Sequence, residues 1–108
     1  MDKKTNPDAA KAFGFDLSKT DGLVYYENSD IMDVSGLLVV KVKDPDDAEE
    51  VRAAVEKYIA NQKNLYKNYA PEQYALLENS ILEVSGNTVF YCTATNADAL
   101  YDAFKNAL

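Results

Sequence analysis

Eight tyrosines, eighteen acidic residues, a single cysteine and no histidine are the groups with which this 108-residue chain could do chemistry. The missing histidine removes Ser-His and Cys-His dyads and His-bearing zinc sites. Cys92, standing alone, removes CxxC redox pairs and any internal disulfide. Carboxylate, tyrosine or lysine chemistry stays open, for example a glycosidase-like pair of acids, but no spacing in the chain supports it. Cys92 sits in a strand pattern opposite Ile81, without the cationic neighbour, helix N-terminus or metal that activates a thiol, and reads as a buried structural residue. Asp44, Asp46, Asp47, Glu49 and Glu50 offer oxygen ligands for calcium but match no EF-hand loop. With Pro45 fixing a helix start, they read as complements to the helix dipole. No catalytic residue, metal or cofactor is expected, and the chain does not read as an enzyme.

Tyrosine without tryptophan is the more informative feature, because aromatic platforms commonly hold sugar rings or extended peptides. Tyr58, Tyr66 and Tyr69 fall on one long helix pattern and Tyr74 on the next. Gln62 lies at the centre of the long helix's apolar stripe, between Ile59 and Leu65, where burial without partners costs roughly 1–3 kcal/mol. Tyr66, Tyr69, Tyr74 and Gln62 are therefore the candidate ligand-binding residues. The plainer alternative has rim tyrosines with hydroxyls in solvent, and Gln62 bonded to a backbone carbonyl where the two helices meet.

Positioning those side chains requires the following elements. Asn6 as N-cap, Pro7 at N1 and Gly14 as a stop bound a short first helix. Leu23 to Tyr26 reads as an edge strand and Ile31 to Val34 as a short extended segment. In the strand Leu37 to Lys43, alternation puts Leu38, Val40 and Val42 on a core face. Asp44 caps a helix from Pro45 to Tyr69 with Ala48, Val51, Val55, Tyr58, Ile59, Leu65, Tyr66 and Tyr69 in one stripe. Pro71 ends that helix and starts another, with Tyr74, Leu77 and Leu76 on its buried side. At 1.5 Å per residue the long helix spans about 37 Å, against about 23 Å for a seven-residue strand, so it overshoots the sheet and leaves a cleft at its far end.

Gly86-Asn87 between two strand patterns marks a two-residue hairpin. Pairing Ser85 with Thr88 sets Val84 opposite Val89, Leu82 opposite Tyr91, Glu83 opposite Phe90 and Ile81 opposite Cys92. Asn96 caps a closing helix with Ala97, Leu100, Tyr101, Phe104 and Leu108 at helical spacing. The expected fold is a two-layer α+β sandwich, an antiparallel or mixed sheet of about four or five strands with the long and C-terminal helices on one face. Residues 1–6 read as a polar leader or linker and 7–108 as one domain. The opposite face then carries Leu37, Val39 and one hairpin set, and needs a cover. The nearest candidate is the segment with Phe13, Phe15, Leu17 and Leu23; a second copy of the chain, forming a homodimer, or a partner protein is the alternative.

The order of these elements, with Val39-Val40-Lys41-Val42-Lys43-Asp44, the Tyr69-Ala70-Pro71-Glu72-Gln73 step, Leu77-Glu78-Asn79, Gly86-Asn87-Thr88-Val89 and Phe104, resembles bacterial domain-of-unknown-function family 4358. The resemblance covers roughly Asp30 to Leu108. It implies the domain of a small Gram-positive lipoprotein, exported and tethered by a lipid at an upstream cysteine that this chain does not contain. No active-site residues come with it.

A net charge of −7 would repel nucleic acid and anionic lipid. The longest apolar run, Gly36 to Val40, is far short of the roughly 20 residues of a membrane span. Met1 to Asn6 holds no apolar signal core, which by itself points to the cytoplasm, yet its polar, Lys-bearing sequence also suits a linker left after removal of a signal. The expected function is a non-catalytic extracytoplasmic binding or interaction module for a protein, peptide or carbohydrate partner, and the alternative is a structural or oligomerising envelope protein.

Overall fold

The computed structural model describes residues 2–28, 30, 32–68 and 70–107. Strands β1 (Asp2–Lys4), β2 (Thr20–Glu27), β3 (Gly36–Val42), β4 (Ile81–Ser85) and β5 (Thr88–Thr93) form one sheet in the order β1-β2-β3-β5-β4. Every pairing is antiparallel. Helices α1 (Asn6–Phe13), α2 (Asp46–Tyr66), α3 (Pro71–Glu78) and α4 (Ala97–Ala107) complete an α+β sandwich.

The hairpin pairs in the register the turn demands, with Ser85 opposite Thr88 and Ile81 opposite Cys92. Gly86 carries the turn at φ 59°, a left-handed conformation that a Cβ disfavours. Continuing through β5 to β3, Val89 meets Val40 and Tyr91 meets Leu38, while Phe90 meets Val39 and Cys92 meets Leu37. Alternation thus sorts the apolar residues onto two faces, and both are used.

On the first face Leu38, Val40, Val42, Val89, Tyr91 and Tyr25 pack against Ala48, Val51 and Val55 of α2 and against Ala9, Phe13 and Phe15 of the N-terminal segment. On the second, Phe90 and Cys92, with Leu37, Val39 and Ile81, pack against Ala97, Leu100, Tyr101 and Phe104 of α4. The C-terminal helix therefore does not share a face with α2, contrary to the sequence expectation. Phe13 and Phe15 fill the space beside α2. The chain leaves β5 with Phe90 and Cys92 on the uncovered side, and a three-residue link delivers α4 there, Phe104 stacking on Phe90 at 4.7 Å between centroids. The cover of the second face is α4, and the N-terminal segment belongs to the first.

Other boundaries differ for local reasons. Residues 2–4, read as a polar leader, pair with Tyr25 to Glu27 as the edge strand, so β2 is an inner strand. The N-cap of α1 is Thr5: its hydroxyl accepts from the Asp8 amide at 3.3 Å and the Asp8 carboxylate accepts from the Thr5 amide at 3.2 Å, a capping box that outcompetes Asn6. Helix α2 begins at Asp46 rather than Pro45: Pro45 holds the N-cap position without a side-chain bond, and Asp44 Oδ1 accepts from the Asp46 amide at 3.0 Å in the turn before it. That helix ends at Tyr66, short of Tyr69, and Leu65 is 57% exposed rather than buried in the stripe. Residues 32–34 form a turn and loop, not a strand, and Ile31 and Leu108 lie outside the described residues.

The acidic segment at the start of α2 has ordinary partners. Glu49 and Glu56 clasp Arg52, and Glu50 bonds Lys19 at 2.7 Å. Among the described residues no group of acids could hold a metal ion, and no helix is long and apolar enough to cross a membrane.

Candidate functional site

At 21 residues, α2 is about 31 Å long and still outruns β3, which at seven residues covers about 23 Å. Its last turns face the strand ends that carry Tyr25, Glu27, Gly36 and Tyr91 and the β2–β3 connection beside them, and between them lies a cavity of about 240 Å³.

Gln62, Leu65 and Tyr66 border this cavity from α2. Its floor is aromatic. Phe13 sits 4.3 Å from Tyr58 and 5.3 Å from Tyr25, centroid to centroid, and Tyr91 lies 5.7 Å from Phe13 and 6.1 Å from Tyr58. Edge-to-face contacts of this kind lock ring orientations beyond what burial alone achieves. Thr93 Oγ1 donates to the Tyr91 hydroxyl at 2.6 Å and lies 2.6 Å from Ser80 Oγ, which fixes the phenol from below. Burial pushes the Tyr25 and Tyr91 phenols well above their ordinary range. Burial, then the Glu27 charge, pushes Tyr58 up to about 12.

The mouth is acidic. Glu27 follows Tyr25 by two residues, so it projects from the same face of β2, and the Tyr25 hydroxyl donates to its carboxylate. Asp30 and Asp33 come from the β2–β3 connection, which is built from side-chain turns. Asn28 Oδ1 accepts from the Asp30 amide at 2.9 Å, Asp30 Oδ1 from the Met32 amide at 2.9 Å, and Asp33 Oδ1 from the Ser35 amide at 2.9 Å. Asn28 Nδ2 donates to Asp33 Oδ2 at 3.0 Å, and the Val34 amide donates to Gln73 Oε1 of α3 at 2.8 Å. The Ser35 bonds hold the Asp33 carboxyl below the usual carboxylate range, so it is ionised at neutral pH.

Of the four candidate residues, Gln62 and Tyr66 line this cavity, Tyr74 does not, and Tyr69 lies outside the described residues. Gln62 is half-buried and makes no side-chain hydrogen bond among the described residues, so the helix–helix turn does not satisfy it. Sequence reasoning missed the floor contributed by Phe13, Tyr25 and Tyr91 and the acids Glu27, Asp30 and Asp33. The Tyr25-x-Glu27 spacing was the available signal, since alternate residues of a strand share a face. Cys92 is buried on the second face, where burial pushes its thiol up to about 11.

The family described as domain of unknown function DUF4358 matches residues 1–94. The chain belongs to that family. The match starts well before Asp30, so it takes in α1, β2 and the whole aromatic floor, and it ends before α4 and Phe104. No curated protein and no solved structure matches the chain significantly.

Proposed function

We propose that this DUF4358 domain is a non-catalytic binding module whose ligand enters the cavity at the end of α2. The observation that carries the reading is the convergence of buried, mutually fixed aromatic rings with polar groups in one concavity, the usual composition of a small-ligand site. At about 240 Å³ the space is below the roughly 300–1,000 Å³ of drug-sized pockets, so the occupant is a small molecule or a single side chain of a peptide or protein partner. A non-catalytic role is favoured by the described lining residues, which include no histidine or thiol and no lysine to act as a nucleophile. The lipoprotein features implied by the family resemblance lead us to place the domain outside the cytoplasmic membrane, tethered by a lipid on an upstream cysteine.

Amide spectra of the isotopically labelled chain, titrated with a panel of amines, sugars and short peptides, test the site. Ligands are expected to shift Tyr58, Gln62 and Gly36. Perturbation confined to α4, or none at all, refutes the assignment. Detergent-phase partitioning of the full-length native protein tests the anchor, and an unmodified protein in the aqueous phase refutes it.

A further inference from the structure

We infer that the cavity selects a small organic cation, an alkylammonium or quaternary ammonium group, free or at the end of a lysine side chain. The inference rests on the cavity being the binding site. Three carboxylates, Glu27, Asp30 and Asp33, border it, and none of its described lining residues is lysine or arginine. None of the three makes an ion pair among the described residues. Their hydrogen bonds are to neutral donors: the Tyr25 hydroxyl, backbone amides and the Asn28 amide group. Lys4 and Lys11 share a separate concavity with Glu27 but form no ion pair with it, so among the described residues the carboxylates at the mouth are without a close cationic partner, in a protein that itself carries a net charge of −7 and draws cations toward it.

Below the carboxylates lie aromatic rings, whose electron-rich faces and phenolic oxygens attract positive charge. A bare metal ion is poorly served, because the acids are too dispersed to form a coordination shell. An ammonium group with an alkyl surround matches both halves of the site, its charge meeting the acids and its methylene or methyl groups meeting the rings. An anion would face three carboxylates, and a neutral sugar would gain nothing from the charge.

The test is an amide-shift titration of the intact chain with tetramethylammonium, n-butylammonium and an Nα-acetylated lysine amide, against the uncharged 3,3-dimethylbutan-1-ol and glucose. Tetramethylammonium or n-butylammonium should bind at least about tenfold more tightly than the alcohol, with shifts at Gln62 and Gly36. Preference for the lysine amide over n-butylammonium identifies a peptide side chain as the source, and the reverse a free amine; either supports the inference. The variant D30N/D33N keeps the oxygens that cap the Ser35 and Met32 amides. It gives up the Asn28 Nδ2 bond to Asp33 Oδ2, so its thermal midpoint should fall by roughly 5 °C, and it should lose about tenfold in cation affinity. Equal or tighter binding of the alcohol or glucose overturns cation selectivity while leaving the cavity as the site. Undiminished cation binding by D30N/D33N overturns it too. Silence from every probe overturns the binding site itself.

Discussion

The placement of α4 on the second face can be tested by a double-mutant cycle between Phe90 and Phe104. Phe90 is 1% exposed and its ring stacks on Phe104, 4.7 Å between centroids with planes 26° apart. Phe90→Ala removes a fully buried ring and leaves a cavity between β5 and α4, which costs about 3–5 kcal/mol. Phe104 is only half-buried, so Phe104→Ala loses roughly half as much. The double mutant should cost less than the sum by about 0.5–1.5 kcal/mol, the coupling of a stacked aromatic pair. Urea unfolding followed by tyrosine fluorescence measures all four stabilities. Because domain stabilities are commonly about 5–15 kcal/mol, Phe90→Leu replaces Phe90→Ala if the latter fails to fold. A parallel cycle between Phe90 and Tyr25, which lie on opposite faces, should show coupling near zero. Strong coupling of Phe90 to Tyr25 with none to Phe104 would refute the two-faced arrangement.

Thr5→Ala should cost about 1 kcal/mol in the same unfolding assay, since it dismantles the capping box with Asp8, whereas Asn6→Ala should be nearly silent; the reverse ranking would move the cap to Asn6. Leu65→Gln should change stability by less than about 0.5 kcal/mol because the side chain is mostly in water, and a loss of several kcal/mol would mean that it is buried. Raised pKa values on Cys92 and Tyr58 favour their neutral forms in the fold. Their contribution is therefore complete below the unfolded values of 9.0 and 10.0 and disappears as pH climbs toward about 11 and 12. Thermal midpoints should accordingly fall above pH 9, and Cys92 should resist a thiol reagent at pH 8 until the protein is unfolded. A flat alkaline profile with fast thiol labelling would contradict this.

The hairpin register was legible because two local signals agree: Gly86-Asn87 fixes a two-residue turn, and the turn then dictates every pair as far as Ile81 and Cys92. The core face of β3 was legible for a similar reason, since Leu38, Val40 and Val42 form an unbroken alternate set and all three are fully buried. The side of the sheet taken by α4 was not legible. A stripe of Leu100, Tyr101 and Phe104 says that a helix buries one face, but a sheet apolar on both sides offers two equal targets, and the choice depends on what else has filled the first. Phe13 and Phe15 decided it, through contacts distant in sequence. The site was half visible for the same kind of reason. Gln62 and Tyr66 stand out within one helical period, whereas Glu27, Asp30 and Asp33 reach the cavity only through strand pairing and the turns that follow it. The cap at Thr5 is encoded in Thr5-x-x-Asp8, but the adjacent Asn6 before Pro7 is an equally good cap type, and only the reciprocal Asp8 bond separates the two.

The position of β5 bears on how the chain matures as it is synthesised. This strand lies between β3 and β4 yet is the last of the five in chain order. It carries Val89 and Tyr91 for one core and Phe90 and Cys92 for the other. A nascent chain that has emerged only as far as Ser85 therefore has a gap in the middle of its sheet and neither core complete. Final assembly must await β5, and the hairpin has to dock beside β3 as a unit. The two cores then form and dissolve together, because losing β5 opens both at once. A ribosome-arrested chain ending before Thr88 should be protease-sensitive throughout, rather than protected over its N-terminal half.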